Sequence, residues 1–191
     1  MLIFFLIVLG VHSLVNFYIF IRGWQGLELY SGVRYYYLAV YIFFFLAYLI
    51  ARFAERYGHN IITEIFNWSG SFWFAAMLYF FLIILLIDIV RASNHFLHFL
   101  PAGLYVDYAK TKFITLICAS SVVILLIVYG FINASIVRIK TIDMAVSKTV
   151  ANHKQLNIVL LSDLHLGTII GPNKLTRIVN KINALNPDIV L

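Results

Sequence analysis

Leu156-Asn157-Ile158-Val159-Leu160-Leu161-Ser162-Asp163-Leu164-His165-Leu166-Gly167 is the stretch on which the reading of this chain turns. A short apolar run ends at Ser162. Asp163 and His165 then stand two residues apart, and Gly167 follows. Side chains two apart on an extended backbone point to the same side. If Ile158 to Leu161 is a buried strand, Asp163 and His165 emerge together at its C-terminal end and Leu164 turns back towards the core. One carboxylate and one imidazole aimed into the crevice beyond the strand ends make half of a metal site.

Working outward, Gly167 to Asn173 reads as a loop, and Pro172 and Asn173 suit a helix start. Leu175, Ile178, Val179, Ile182 and Leu185 repeat at three and four, which leaves Lys174, Arg177, Asn180, Lys181 and Asn183 outward. Asn186-Pro187 ends that helix. Asp188 leads into a second buried strand, Ile189-Val190-Leu191. Strand, helix and strand in this order predict a right-handed parallel unit. On the N-terminal side, Ala151 to Gln155 reads as a turn. Residues Val137 to Val146 alternate imperfectly and predict another strand.

The segment from Ile136 to Leu191 resembles the start of the calcineurin-like metallophosphoesterase superfamily, in its membrane-anchored bacterial type. Ser162-Asp163-Leu164-His165-Leu166-Gly167 is similar to the family's first motif. Asn186-Pro187-Asp188-Ile189-Val190-Leu191 resembles the strand that leads to its second, Gly-Asp-x-x-Asp, and the sequence stops before that motif. The resemblance implies that Asp163 and His165 bind the first of two divalent metal ions, Mn, Fe or Zn. It implies a bridging Asp in the next motif, and later Asn and His residues for the second metal and for catalysis. No catalytic residue of the family falls within these residues. The chain is therefore expected to be an incomplete part of a phosphoesterase and inactive alone.

The rest of the chain has a different character. Of 191 residues, 63% are hydrophobic and 12% charged, against a usual charged share of about 25%. Such a composition belongs in a membrane. Four apolar stretches, about 2–21, 35–51, 68–90 and 113–137, are long enough to cross a bilayer, which takes about 20 residues. The first lacks the basic start and cleavage site of a signal peptide and reads as a retained helix. The expected architecture is thus a four-helix transmembrane domain, 1–137, followed by the start of an α/β sandwich domain, 138–191.

Several polar residues within the apolar part ask for a role. His12, Ser13 and Asn16 share one side of the first span, where polar residues usually face neighbouring helices. Arg34 beside Tyr35, Tyr36 and Tyr37 predicts an interfacial belt, and Trp68 and Trp73 mark one end of the third span. Asp88 is three residues from Arg91, within reach of a helical pair. Ser93 to Tyr108 reads as a short interfacial segment broken at Pro101, with His95 and His98 able to share a helix face. Cys118, the one cysteine, is a small packing residue inside an apolar run.

Net charge is +6. Residues 1–137 hold seven Lys/Arg and five Asp/Glu, and residues 138–191 hold seven and three, so the polar tail is the more basic. A basic surface beside a membrane favours anionic lipid heads or phosphorylated substrates. The expected partners are the lipid bilayer and a phosphoester substrate of lipid or envelope origin, the latter inferred from location; no nucleic acid is expected. The first and third loops carry Arg22, Arg34, Arg91, Lys110 and Lys112 and the second carries Arg52 and Arg56. A multi-pass protein of the cell membrane with its C-terminal domain outside the cytoplasm follows from that bias. Two other classes fit the apolar part. A transporter would need polar residues converging at mid-membrane, for which His12, Asn16, Ser120 and Ser121 are available; a non-catalytic scaffold would need nothing more.

Overall fold

The computed structural model describes residues 2–54, 58, 60–145, 155–162 and 172–191. Four long helices dominate: α1 (Leu2–Gly26), α2 (Ser31–Ala54), α3 (Ile61–Leu97) and, after the single turn α4 (Gly103–Val106), α5 (Tyr108–Ser135). All four are long and apolar enough to cross a membrane. α1, α2 and α3 run beyond the apolar windows that announce them, and α5 starts five residues before its window and ends two residues short of it, at Ser135. Backbone groups near a bilayer need internal partners, so the ladder continues past the apolar residues until a cap relieves it. α3, with 37 residues, is about 55 Å long at 1.5 Å per residue. That exceeds the ~30 Å hydrocarbon core, so its ends reach the polar region or the helix tilts.

Both ends of α3 are fixed by side chains. At its start the Asn60 side-chain oxygen accepts from the Thr63 N–H at 2.9 Å, satisfying one of the orphan donors of a helix N-terminus. At its end His98 takes a left-handed conformation (φ 48°, ψ 39°) and donates its N–H to the Asn94 carbonyl. The predicted interfacial segment is therefore split: Ser93 to Leu97 are helical, and His98 leaves the helix, so His95 and His98 share no helix face. Asn94 organises the exit. Its Nδ2 donates to Tyr105 Oη at 2.8 Å, and its Oδ1 accepts from the Leu100 N–H at 2.6 Å.

The chain divides into two compact units, residues 1–130 and 131–191. In the first, α2 packs most extensively against α3. The close approach rests on small residues, as membrane helix contacts generally do. Ala47 and Ala51 on α2 are fully buried. A Cβ placed on Gly70 of α3 would lie 2.7 Å from Tyr48 Cα. Large apolar side chains such as Phe4, Leu86 and Leu125 are turned outward instead. An apolar exterior of this extent belongs against lipid.

In the second unit, β1 (Ile158–Val159), α6 (Pro172–Ala184) and β2 (Ile189–Val190) form a β–α–β unit. The strands are parallel, with Ile158 opposite Ile189 and Val159 opposite Val190. This is a smaller object than the predicted sandwich: two strands of two residues are all the sheet among the described residues. The strands are not buried, since Ile158 is 49% and Val190 49% exposed. Residues 137–145 form no strand. Their alternation is imperfect, and Ile139, Ile142 and Met144 are all exposed, so neither a buried face nor, among the described residues, a partner strand holds them extended. α6 begins at Pro172, which puts Asn173 inside the first turn and not at the cap.

Candidate functional site: a strand-end motif and two polar clusters

Asp163 and His165 lie outside the described residues. What is described is the scaffold that leads to them. The parallel ladder runs from Asn157 to Leu161: Asn157 O accepts from the Asp188 N–H at 2.8 Å, Val159 O accepts from Leu191 N–H at 2.9 Å, and Leu161 N–H donates to Leu191 O at 2.8 Å. Asn157 locks this register with its other groups. Its backbone N–H donates to Asp188 Oδ2 at 2.7 Å, and its Nδ2 donates to the Leu185 carbonyl at 2.6 Å. Asp188 is thus more than the turn residue it reads as in sequence. The reciprocal Asn157–Asp188 clamp joins positions 31 apart and leaves no local signal to find it by.

Two lysines on α6 also depart from the outward reading. Lys174 Nζ donates to the Ala134 carbonyl at 2.9 Å, and Lys181 Nζ donates to the Val137 carbonyl at 2.6 Å. Ala134 lies in the last turn of α5, where carbonyls have no helical partner and a cation is favoured.

Within the membrane unit the first polar cluster centres on Asn16, which is 2% exposed. Its Nδ2 donates to the His12 carbonyl at 2.9 Å and contacts Met77 Sδ at 3.0 Å. Its Oδ1 accepts from Trp73 Nε1 at 3.0 Å. Tyr41 Oη donates to the Asn16 carbonyl at 2.7 Å. One amide thereby ties α1 to α2 and α3. Interhelical hydrogen bonds of this kind contribute about 0.6 kcal/mol each on average. His12 stacks on Phe45 with ring centroids 5.3 Å apart. The predicted inward face of His12 and Asn16 is present, whereas Ser121 is exposed. Trp73, read in sequence as one end of a span, points inward to this cluster.

The second cluster centres on Asp88. Its strongest partner is not Arg91. Arg22 Nη2 lies 2.6 Å from Asp88 Oδ2, and Tyr18 Oη donates to the same oxygen at 2.5 Å. Arg91 Nη1 stands 3.9 Å from Asp88 Oδ1. Helical spacing allows the Asp88–Arg91 contact, but α1 delivers a guanidinium and a phenol directly, at hydrogen-bond distance. Nearby, Lys112 of α5 pairs with Glu28 in the α1–α2 connection. The Lys112 hydrogen bond and charge hold the Glu28 carboxyl below its ordinary value. Arg34 stacks over the Trp24 ring at 5.2 Å. Of the expected aromatic belt, Tyr35 and Tyr36 are exposed, while Tyr37 turns inward and donates to the Phe20 carbonyl.

Among the described residues, no three His, Cys, Asp or Glu side chains come together to hold a metal ion. The class defined so far is a helical membrane protein with four candidate spanning helices, carrying a short parallel β–α–β unit. Comparison with known proteins adds a link to metallophosphoesterases. The chain is 38% identical over 84 residues to a Danio rerio protein named "Transmembrane protein with metallophosphoesterase domain"; the match covers 44% of this chain and 19% of that protein. It is 34% identical over 85 residues to the Bos taurus protein of the same name, covering 43% and 19%. The chain thus spans about a fifth of the length of these curated relatives. No protein-family profile matches it, and no solved structure does.

Proposed function

We propose that these residues are the membrane part and the opening β–α–β unit of a longer, metal-dependent phosphoesterase of the membrane-anchored bacterial type. The domain division proposed is 1–137 and 138–191. The observation that carries the reading is the strand end. A parallel strand, held in register to Leu161, runs directly into Ser162-Asp163-Leu164-His165, and relatives carry the metallophosphoesterase name.

The donor chemistry fits a metal. A carboxylate and an imidazole together suit Mn, Fe and Zn. When bound, a pair of such ions supplies a hydroxide at neutral pH and neutralises phosphoryl oxygens. Asp163 and His165 would hold one ion; Leu164 between them would face the other side of the strand. A phosphoester of lipid or envelope origin is the proposed substrate, and a cell membrane with the C-terminal unit outside the cytoplasm the proposed location. The transporter reading is less well supported, because the Asn16 side chain is spent on contacts to the neighbouring helices, with Met77, Tyr41 and Trp73.

The test is hydrolysis of phosphomonoesters and phosphodiesters with added Mn²⁺ by the complete gene product. Asp163→Ala is expected to abolish turnover and His165→Ala to reduce it. Leu164→Val should leave it nearly unchanged, and residues 1–191 alone should show none. Wild-type turnover by Asp163→Ala at limiting metal would overturn the assignment.

A further inference from the structure

We propose that the membrane unit holds one anionic phospholipid, with an acyl chain threaded between the helices and its phosphate at Arg91. The proposal stands on residues 1–130 and does not depend on the phosphoesterase reading. A cavity of about 200 Å³ opens among α1, α2, α3 and α5. Its body is apolar, lined by Ile19, Trp73, Ile84 and Leu116, and Arg22, Arg91 and Lys112 also line it. Along α3 the lining runs from Trp73 to Arg91, about 27 Å at 1.5 Å per residue. A long, narrow apolar slot with cations at one end is the shape of a single chain ending in an anionic head. The volume is below the roughly 300–1,000 Å³ of a pocket for a compact ligand, which favours a segment of chain over a whole molecule.

Charge at the Arg91 end points the same way. Arg22, Arg91 and Lys112 face two carboxylates, Asp88 and Glu28, so one positive charge is left over. Arg22 and Lys112 are committed to short ion pairs. Arg91 is the remaining cation: it stands 3.9 Å from Asp88 and lies 5.9 Å from the Tyr108 ring centroid. It makes no side-chain hydrogen bond among the described residues, so its fork of N–H groups can donate bidentately to a phosphate. A second cavity, of about 350 Å³, also borders Arg91 and is lined by Asn94, His95, His98, Tyr105 and Tyr108. Arg91 is common to both cavities. The head of the lipid sits on this polar side, where tyrosine hydroxyls and imidazoles can bond its oxygens, and its chain enters the apolar slot.

The test uses phosphatidylglycerol carrying a diazirine near the middle of one chain, added in trace to the intact chain in phosphatidylcholine nanodiscs. After photolysis, labelled residues are mapped by mass spectrometry. Labelling at Ile84 and Leu116 is expected to saturate and to be competed by unlabelled phosphatidylglycerol, but not by phosphatidylcholine or inorganic phosphate. Arg91→Gln should weaken that labelling by about tenfold, the loss of one good charge-assisted contact. Ala119→Trp, which fills the slot, should remove it. Leu125, which is exposed on the outer surface, should be labelled in every variant and reports that α5 is inserted in the bilayer. Competition by inorganic phosphate, equal competition by phosphatidylcholine, or undiminished labelling in Arg91→Gln would overturn the proposal.

Discussion

Arg22 on α1 and Asp88 on α3, 66 residues apart in sequence, meet at 2.6 Å. This contact, with Tyr18 on the same carboxylate oxygen, fastens the first helix to the third near one end of the unit. Removing one partner of a buried pair costs about 3–5 kcal/mol. Arg22 is 36% exposed, so the expected loss for Asp88→Ala is smaller, about 1–2 kcal/mol. The double exchange Arg22→Asp with Asp88→Arg should recover part of it. Reversible unfolding in mixed micelles, run as a double-mutant cycle, measures the coupling; a coupling of zero would remove the pair from the account of stability.

The α2–α3 contact predicts a contrast between two glycines. Gly70→Val should force α3 away from Tyr48, since even a Cβ meets backbone at 2.7 Å. A loss of about 1–3 kcal/mol is expected from such overpacking. Gly32→Ala should be neutral or stabilising by up to ~1 kcal/mol, because nothing lies within 4 Å and alanine is the better helix former. Equal effects from the two changes would contradict the packing described.

The Glu28–Lys112 pair predicts a pH dependence with a definite sign. The Lys112 hydrogen bond, then its charge, lower the Glu28 carboxyl from its ordinary 4.5. A depressed folded value means that the pair's contribution is fully present above the unfolded value. It is lost as pH falls through the folded one. Thermal unfolding followed from neutral pH down through the acid range should show the loss in wild type and a flatter response in Lys112→Gln. The effect is expected to shrink with added salt, since Glu28 is solvent-exposed.

Loop charges predict a sidedness. In a Cys118→Ser background, Lys154→Cys should react with an impermeant maleimide in intact cells, and Lys110→Cys should not. The reverse pattern would place the C-terminal unit in the cytoplasm.

The sequence by itself determined the four membrane helices, because a run of apolar side chains long enough to match the bilayer is a property of composition and length alone. It determined the strand–helix–strand order between Ile158 and Val190, because periods of two and of three to four are written locally. It singled out Asp163 and His165 by their spacing, although they lie outside the described residues. Only the tertiary structure decided the partners. Asp88 reads locally as a mate for Arg91, and Lys174 and Lys181 read as solvent-facing, because sequence spacing reports neighbours on one helix and nothing across helices. Asn16 gathers Tyr41 and Trp73, Asn157 clamps Asp188, and Arg22 reaches Asp88. Each of these depends on where separate helices or strands are brought together in space. Residues 137–145 form no strand for the same reason: alternation makes extended chain possible, but a strand persists only where a neighbour takes its hydrogen bonds.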